Sequence, residues 1–105
     1  LLHGVSVPVK DNFYTKGVLT TAQSLIFADF VPDVDATAVA RIKAAGGIVL
    51  GKLQMGPLAG GRPRNPATGE ITTRNAWSPN APGPTPSGSS GGSGCCTAAR
   101  LATCS

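Results

Sequence analysis

Long apolar runs are missing from this sequence. No window supplies the roughly 18 consecutive apolar residues that a membrane span requires, so no transmembrane helix is expected. The opening residues Leu1-Leu2-His3-Gly4 lack a basic segment followed by a long apolar one, so they do not read as a signal peptide, and a cytoplasmic protein is expected. An initiator methionine is also missing, and strand-like alternation begins at once, as expected of a chain cut at both ends. Histidine occurs once, at His3. The three cysteines, Cys95, Cys96 and Cys104, are odd in number, and none has a partner at CxxC spacing. Neither a metal site nor a disulfide framework is therefore expected, and the thiols should be reduced. Charge is scarce, at 13% of residues. Nine basic residues against five acidic ones give a net charge of +4, but they are scattered, with no aromatic stripe between them. No nucleic-acid-binding surface is expected from that distribution.

What remains is enough for one small domain with a modest core: 105 residues, 41% of them hydrophobic. Fourteen glycines and nine prolines bring irregular structure close to dominance. Val5, Val7 and Val9 alternate with Ser6 and Pro8, which reads as a short strand. Pro8 inside it favours an edge or a strand end. A polar loop follows over residues 11–17, then an irregular stretch with a helical turn over 20–30. Residues 35–45 are the clearest helix, with Asp35 as N-cap, five alanines, Val39 and Ile42 on one face, and Arg41 and Lys43 near the C-terminal end, where the helix dipole favours cations. Gly46 is the natural stop. Ile48-Val49-Leu50 then reads as a short buried strand, completing a βαβ pattern. A short helix is expected over 55–59, loop over 60–80, and a final helix over 94–103.

Three motifs bear on function. Gly46-Gly47-Ile48-Val49-Leu50-Gly51-Lys52 matches a phosphate loop except that Leu53 stands in place of the magnesium-binding hydroxyl. A phosphate loop follows a strand and opens a helix, whereas here the motif's interior looks like the strand itself, so nucleotide binding is not expected. Val9-Lys10-Asp11-Asn12 ends the first strand, and functional groups gather at the carboxyl ends of strands in α/β sheets. On those four residues alone, a solvated Lys10 paired with Asp11 is the ordinary reading. In the third motif, 14 of the 17 residues from 78 to 94 are Gly, Pro or Ser. That composition fits a flexible linker. It also fits a loop whose glycines allow unusual backbone angles and whose amides, at a helix start, bind an oxyanion.

The ordered set resembles one family. Gly4-Val5 and Val9-Lys10-Asp11-Asn12 resemble the opening strand of the amidase-signature family, and Thr15-Lys16-Gly17-Val18 with Thr20-Thr21-Ala22 the segment after it. Asp35-Ala36-Thr37, Val39, Ala44-Ala45-Gly46 and Leu50-Gly51-Lys52 resemble its first long helix and second strand. Met55, Arg74-Asn75 and Trp77 keep later landmarks, and Gly88-Ser89-Ser90-Gly91-Gly92-Ser93 resembles the signature itself. Departures are Ser6, Pro57, Ala76, Ser87, Cys95 and Cys96, none at a triad position.

The resemblance implies the N-terminal portion of an α/β/α fold around a mixed sheet, with residues 1–105 a partial domain. It implies hydrolysis of linear amides by a Ser–cis-Ser–Lys triad through an acyl-serine. Lys10 is then the triad lysine, and Ser89 the bridging serine with the cis peptide bond. The nucleophilic serine is expected about two dozen residues past Ser89 in a Gly-Gly-Ser segment, beyond Ser105, so this chain alone should be inactive. The chemistry needs a neutral lysine as base; an unperturbed lysine has a pKa of about 10.4, and burial favours the neutral form. No cofactor or metal is implied, and the partner is a small-molecule amide substrate. Two alternatives stand beside this. One is the A subunit of a tRNA-dependent amidotransferase, which releases ammonia from glutamine and would bring nucleic acid and partner subunits into play. The other is a non-catalytic fragment whose Gly/Ser stretch is only a linker.

Overall fold

The computed structural model describes residues 1–78, 80, 86 and 88–105. Ser87 and most of the Gly/Pro/Ser stretch before it lie outside the described residues. The first strand, β1, runs Ser6–Lys10 and pairs in parallel with β2, Ile48–Leu53. Helix α1, Thr37–Ala44, connects them in sequence, so the βαβ pattern is present. Short 3-10 turns occur at Leu25–Phe27 and Pro57–Ala59, the latter in place of the helix expected over 55–59.

The ladder carries the mark of Pro8. Ser6 and Val7 pair with Ile48 and Val49, but Val9 and Lys10 pair with Lys52 and Leu53, so β2 holds one extra residue opposite Pro8. Proline has no N–H to donate, and the irregularity falls where that donor is missing. Val7, Val9 and the fully buried Val39 of α1 form the core, with Val5, Ala36, Ile42 and Val49 packed on it. Burial of a side chain such as Val39 contributes about 1.5–3 kcal/mol.

Three local expectations are corrected. Asp35 does not cap α1: Ala36 holds the N-cap position without a side-chain hydrogen bond. The Asp35 carboxylate instead accepts the Lys16 backbone N–H at 2.8 Å and forms a salt bridge with Lys43 at 2.8 Å. Lys43 lies two turns along the helix, and a charged partner there competes with the capping geometry. Ile48 and Leu50 of β2 are more than half exposed, because the described sheet has two strands and α1 covers one face only. The last helix, α2, spans Gly91–Ala98 rather than 94–103. It begins inside the glycine run, where small residues let backbone approach backbone, and it ends before Arg100, whose φ is +56°.

The end of α1 follows expectation. Gly46 has φ +85°, its N–H donates to the Lys43 carbonyl, and the Gly47 N–H donates to the Ile42 carbonyl. These two bonds satisfy orphan carbonyls of the last turn, and the left-handed residue they require suits glycine.

Candidate active site

Lys10 is the last residue of β1, and its amine points to the start of α2. Lys10 Nζ donates to Ser89 Oγ at 2.8 Å and to Ser90 Oγ at 2.8 Å. The two residues singled out from sequence are thus in direct contact across 79 positions. Sequence reasoning missed Ser90, whose hydroxyl is as close to Lys10 as that of Ser89; the adjacent Ser-Ser pair was the available signal. Ser89 is half-buried and Ser90 exposed.

Backbone contacts fix the serines. The chain leaving β2 runs beside the start of α2: the Gly56 N–H donates to the Ser89 carbonyl at 2.9 Å, and the Gly92 N–H to the Gln54 carbonyl at 3.1 Å. Gly91 and Gly92 are buried at this contact. A Cβ on Gly92 would lie 2.3 Å from the Gln54 carbonyl oxygen, so only glycine fits. Gly91 and Gly92 are therefore packed at a helix start rather than held in a solvated linker. The cis bond expected at Ser89 is corrected: all peptide bonds among the described residues are trans. For a residue other than proline the trans bond is favoured by about 3 kcal/mol.

A cavity of about 290 Å³ opens beside the amine. Its wall is mostly apolar, with Val7, Val9, Phe13, Val39 and Ile42, and its polar lining is Lys10, Ser90, Ser93 and Ser105. An amine joined to two hydroxyls at such a wall has the connectivity that a proton relay needs.

Lys10 does not pair with Asp11, contrary to the ordinary reading of that dipeptide. Asp11 is buried, accepts from Thr21 N–H and Oγ1 at 3.0 and 2.7 Å, and faces Lys52 Nζ at 3.6 Å. Burial lowers the pKa of Lys52, and the Asp11 carboxylate opposes that shift. Sequence reasoning met Lys52 within the phosphate-loop mimic and as a landmark of the family's second strand, without assigning it a role. The structure puts that motif's interior in β2, as the dismissal of nucleotide binding required. Among the described residues, no cluster of His, Cys, Asp or Glu could hold a metal ion, and no helix is long and apolar enough to cross a membrane.

Known proteins resemble this chain along nearly its whole length. The family profile described as Amidase matches residues 1–105. The A subunit of glutamyl-tRNA(Gln) amidotransferase from Geobacter sp. (strain M21) is 45% identical over 102 residues, covering 97% of this chain and 20% of that protein. Its counterpart from Sulfurisphaera tokodaii is 41% identical over 104 residues, covering 95% of this chain and 20% of its own length. The chain thus spans about a fifth of the length of the curated relatives it matches. Among solved structures, the A subunit of glutamyl-tRNA(Gln) amidotransferase from Thermotoga maritima aligns with TM-score 0.75 and 35% identity, over 90% of this chain and 21% of that one. A structure described as a vestigial protein complex revealing the origins of an s-triazine catabolic enzyme aligns with TM-score 0.76 and 37% identity, over 91% of this chain and 20% of that one. With a profile match along its whole length and a shared fold, the chain belongs to the amidase family.

Proposed function

We propose that this chain contributes the base and the proton relay of a carbon–nitrogen hydrolase acting on a small linear amide. The observation that carries the reading is the contact of Lys10 Nζ with Ser89 Oγ at 2.8 Å. In this reading residues 1–105 are one part of a catalytic domain, and the attacking serine lies in a Gly-Gly-Ser segment outside them. As that serine attacks the carbonyl carbon, its proton passes to Ser89, and the Ser89 proton passes to Lys10. On collapse of the tetrahedral intermediate the C–N bond breaks, and the proton returns along the same chain to the leaving amine. Water then releases the acyl group by the same relay.

The test is amide hydrolysis by the full-length protein. Lys10→Met and Ser89→Ala should each lower kcat by about 10²–10⁴-fold, the range for loss of a general base or its relay. A full-length Lys10→Met protein that hydrolyses amides at the parent rate overturns the reading. Residues 1–105 alone should show no turnover.

A second reading has a specific observation behind it: relatives about 45% identical are named as the A subunit of glutamyl-tRNA(Gln) amidotransferase. The same relay would then release ammonia from glutamine within a complex of several proteins. Glutaminase activity that rises when the other members of such a complex are added favours this reading. Hydrolysis of simple amides without them favours the first.

A further inference from the structure

We propose that Lys52 is a positioning residue for Lys10: it gathers the chain just after β1 into a closed cage and so fixes the strand end from which the Lys10 amine reaches the serines. This rests on the reading of Lys10 as the base. Lys52 stands on β2 opposite Val9, one residue before the partner of Lys10. Its side chain is 12% exposed and that of Asp11 is 11% exposed. The amine donates to the Phe13 carbonyl, and to Thr15 Oγ1 and Thr20 Oγ1, each at 3.1 Å. Both threonines are buried, and each spends its own proton on a loop carbonyl, that of Phe13 at 3.2 Å and that of Val18 at 3.0 Å. Toward Lys52 they therefore act only as acceptors, and three acceptors match the three protons of an ammonium.

Asp11 completes the cage. It directly follows Lys10, its N–H extends the ladder to the Leu53 carbonyl at 3.1 Å, and its carboxylate holds Thr21 while facing Lys52. The loop from Asp11 to Thr21 is thus closed on Lys52 at several points. A lysine side chain that must meet two hydroxyls gives up much of its rotamer freedom, and a drifting anchor adds to that cost. Removing the Lys52 charge leaves a buried carboxylate without its counter-charge and two threonine oxygens without a donor beside the strand end.

The experiment uses the full-length protein with Lys52→Met, Lys52→Arg and the charge-free pair Asp11→Asn/Lys52→Met. Three quantities are read: kcat and KM separately, melting temperature, and the rate at which Lys10 is acetylated by a small reagent, followed by peptide mass spectrometry. Lys52→Met should lower kcat by about 10²-fold, the effect of roughly 1 Å of misplacement, with KM changed less than twofold. Lys10 acetylation should speed up severalfold as the amine leaves the serines. Lys52→Arg, which keeps the charge beside Asp11, should recover at least a tenth of the parent kcat. Should Lys52→Met fail to fold, the charge-free pair decides, with low kcat and fast Lys10 acetylation expected. A folded Lys52→Met or charge-free variant with parent kcat and parent Lys10 acetylation overturns the proposal, as does a loss confined to melting temperature. Acetylation needs no turnover, so it still tests positioning if Lys10→Met retains activity and the catalytic reading fails.

Discussion

Replacing Gly92 by alanine should damage both stability and the site, whereas the same change two residues later should not. The new Cβ at Gly92 would lie 2.3 Å from the Gln54 oxygen, 2.8 Å from its nitrogen and 3.1 Å from its carbonyl carbon. Ordinary contact begins near 3.4 Å, so the oxygen is about 1 Å too close. All three atoms are backbone, and none can swing aside as a side-chain tip would. Overpacking of this kind costs about 3 kcal/mol. At Gly94 the nearest atom is Pro86 Cβ at 3.5 Å, an ordinary contact. Alanine there should stabilise the helix by roughly 0.5–1 kcal/mol. Urea unfolding of the two variants should therefore separate them by about 4 kcal/mol. Relief of the Gly92→Ala clash requires α2 to retreat from Gln54 by about an ångström, which carries Ser89 and Ser90 away from Lys10. Amide hydrolysis should fall by about 10²-fold in that variant only. Equal stability of the two variants would refute the claim that backbone contact at Gln54 seats the helix.

Two further outcomes follow from packing and charge. Met55 is fully buried, so Met55→Ala should cost about 3 kcal/mol, read as a lower urea midpoint with an unchanged slope. The Asp35 carboxyl is held below its ordinary value of 3.8 by Lys43, and next by the Lys16 N–H. Its folded-state pKa is the lower one, so its contribution is full above 3.8 and is lost as pH falls through the folded value. Asp35→Asn should flatten that acid-side loss in a melting series from pH 5 to pH 2, and an unchanged acid slope would count against the Lys43 pairing.

Local patterns were legible where a periodicity or a special backbone residue dictated the outcome. The alternating valines marked β1, the alanine run with Val39 and Ile42 marked α1, and Gly46 marked its end. Lys10 and Ser89 were legible through the ordered resemblance and meet as expected. The misses were tertiary. Asp35 had the side chain of an N-cap, but Lys43 and the Lys16 N–H compete for it. The glycine run gave no helix signal because its propensity is poor; close approach of Gly92 to Gln54 selects it instead. The Asp11–Lys52 pair joins the residue just after β1 to a position on β2, and nothing local reveals which acidic residue a lysine will meet.

The 79 positions between Lys10 and Ser89 also set an order of events during synthesis. Strand β1, helix α1 and strand β2 are complete by Leu53, and their mutual contacts need no later residue. The hydroxyls are made only after that unit exists. At about 5–20 residues per second, the interval between Leu53 and Ser89 is roughly 2–7 s. During it the Lys10 amine has no serine hydroxyl to meet. The Gly56 and Gly92 contacts, which seat the serines, end that interval as well as building the site.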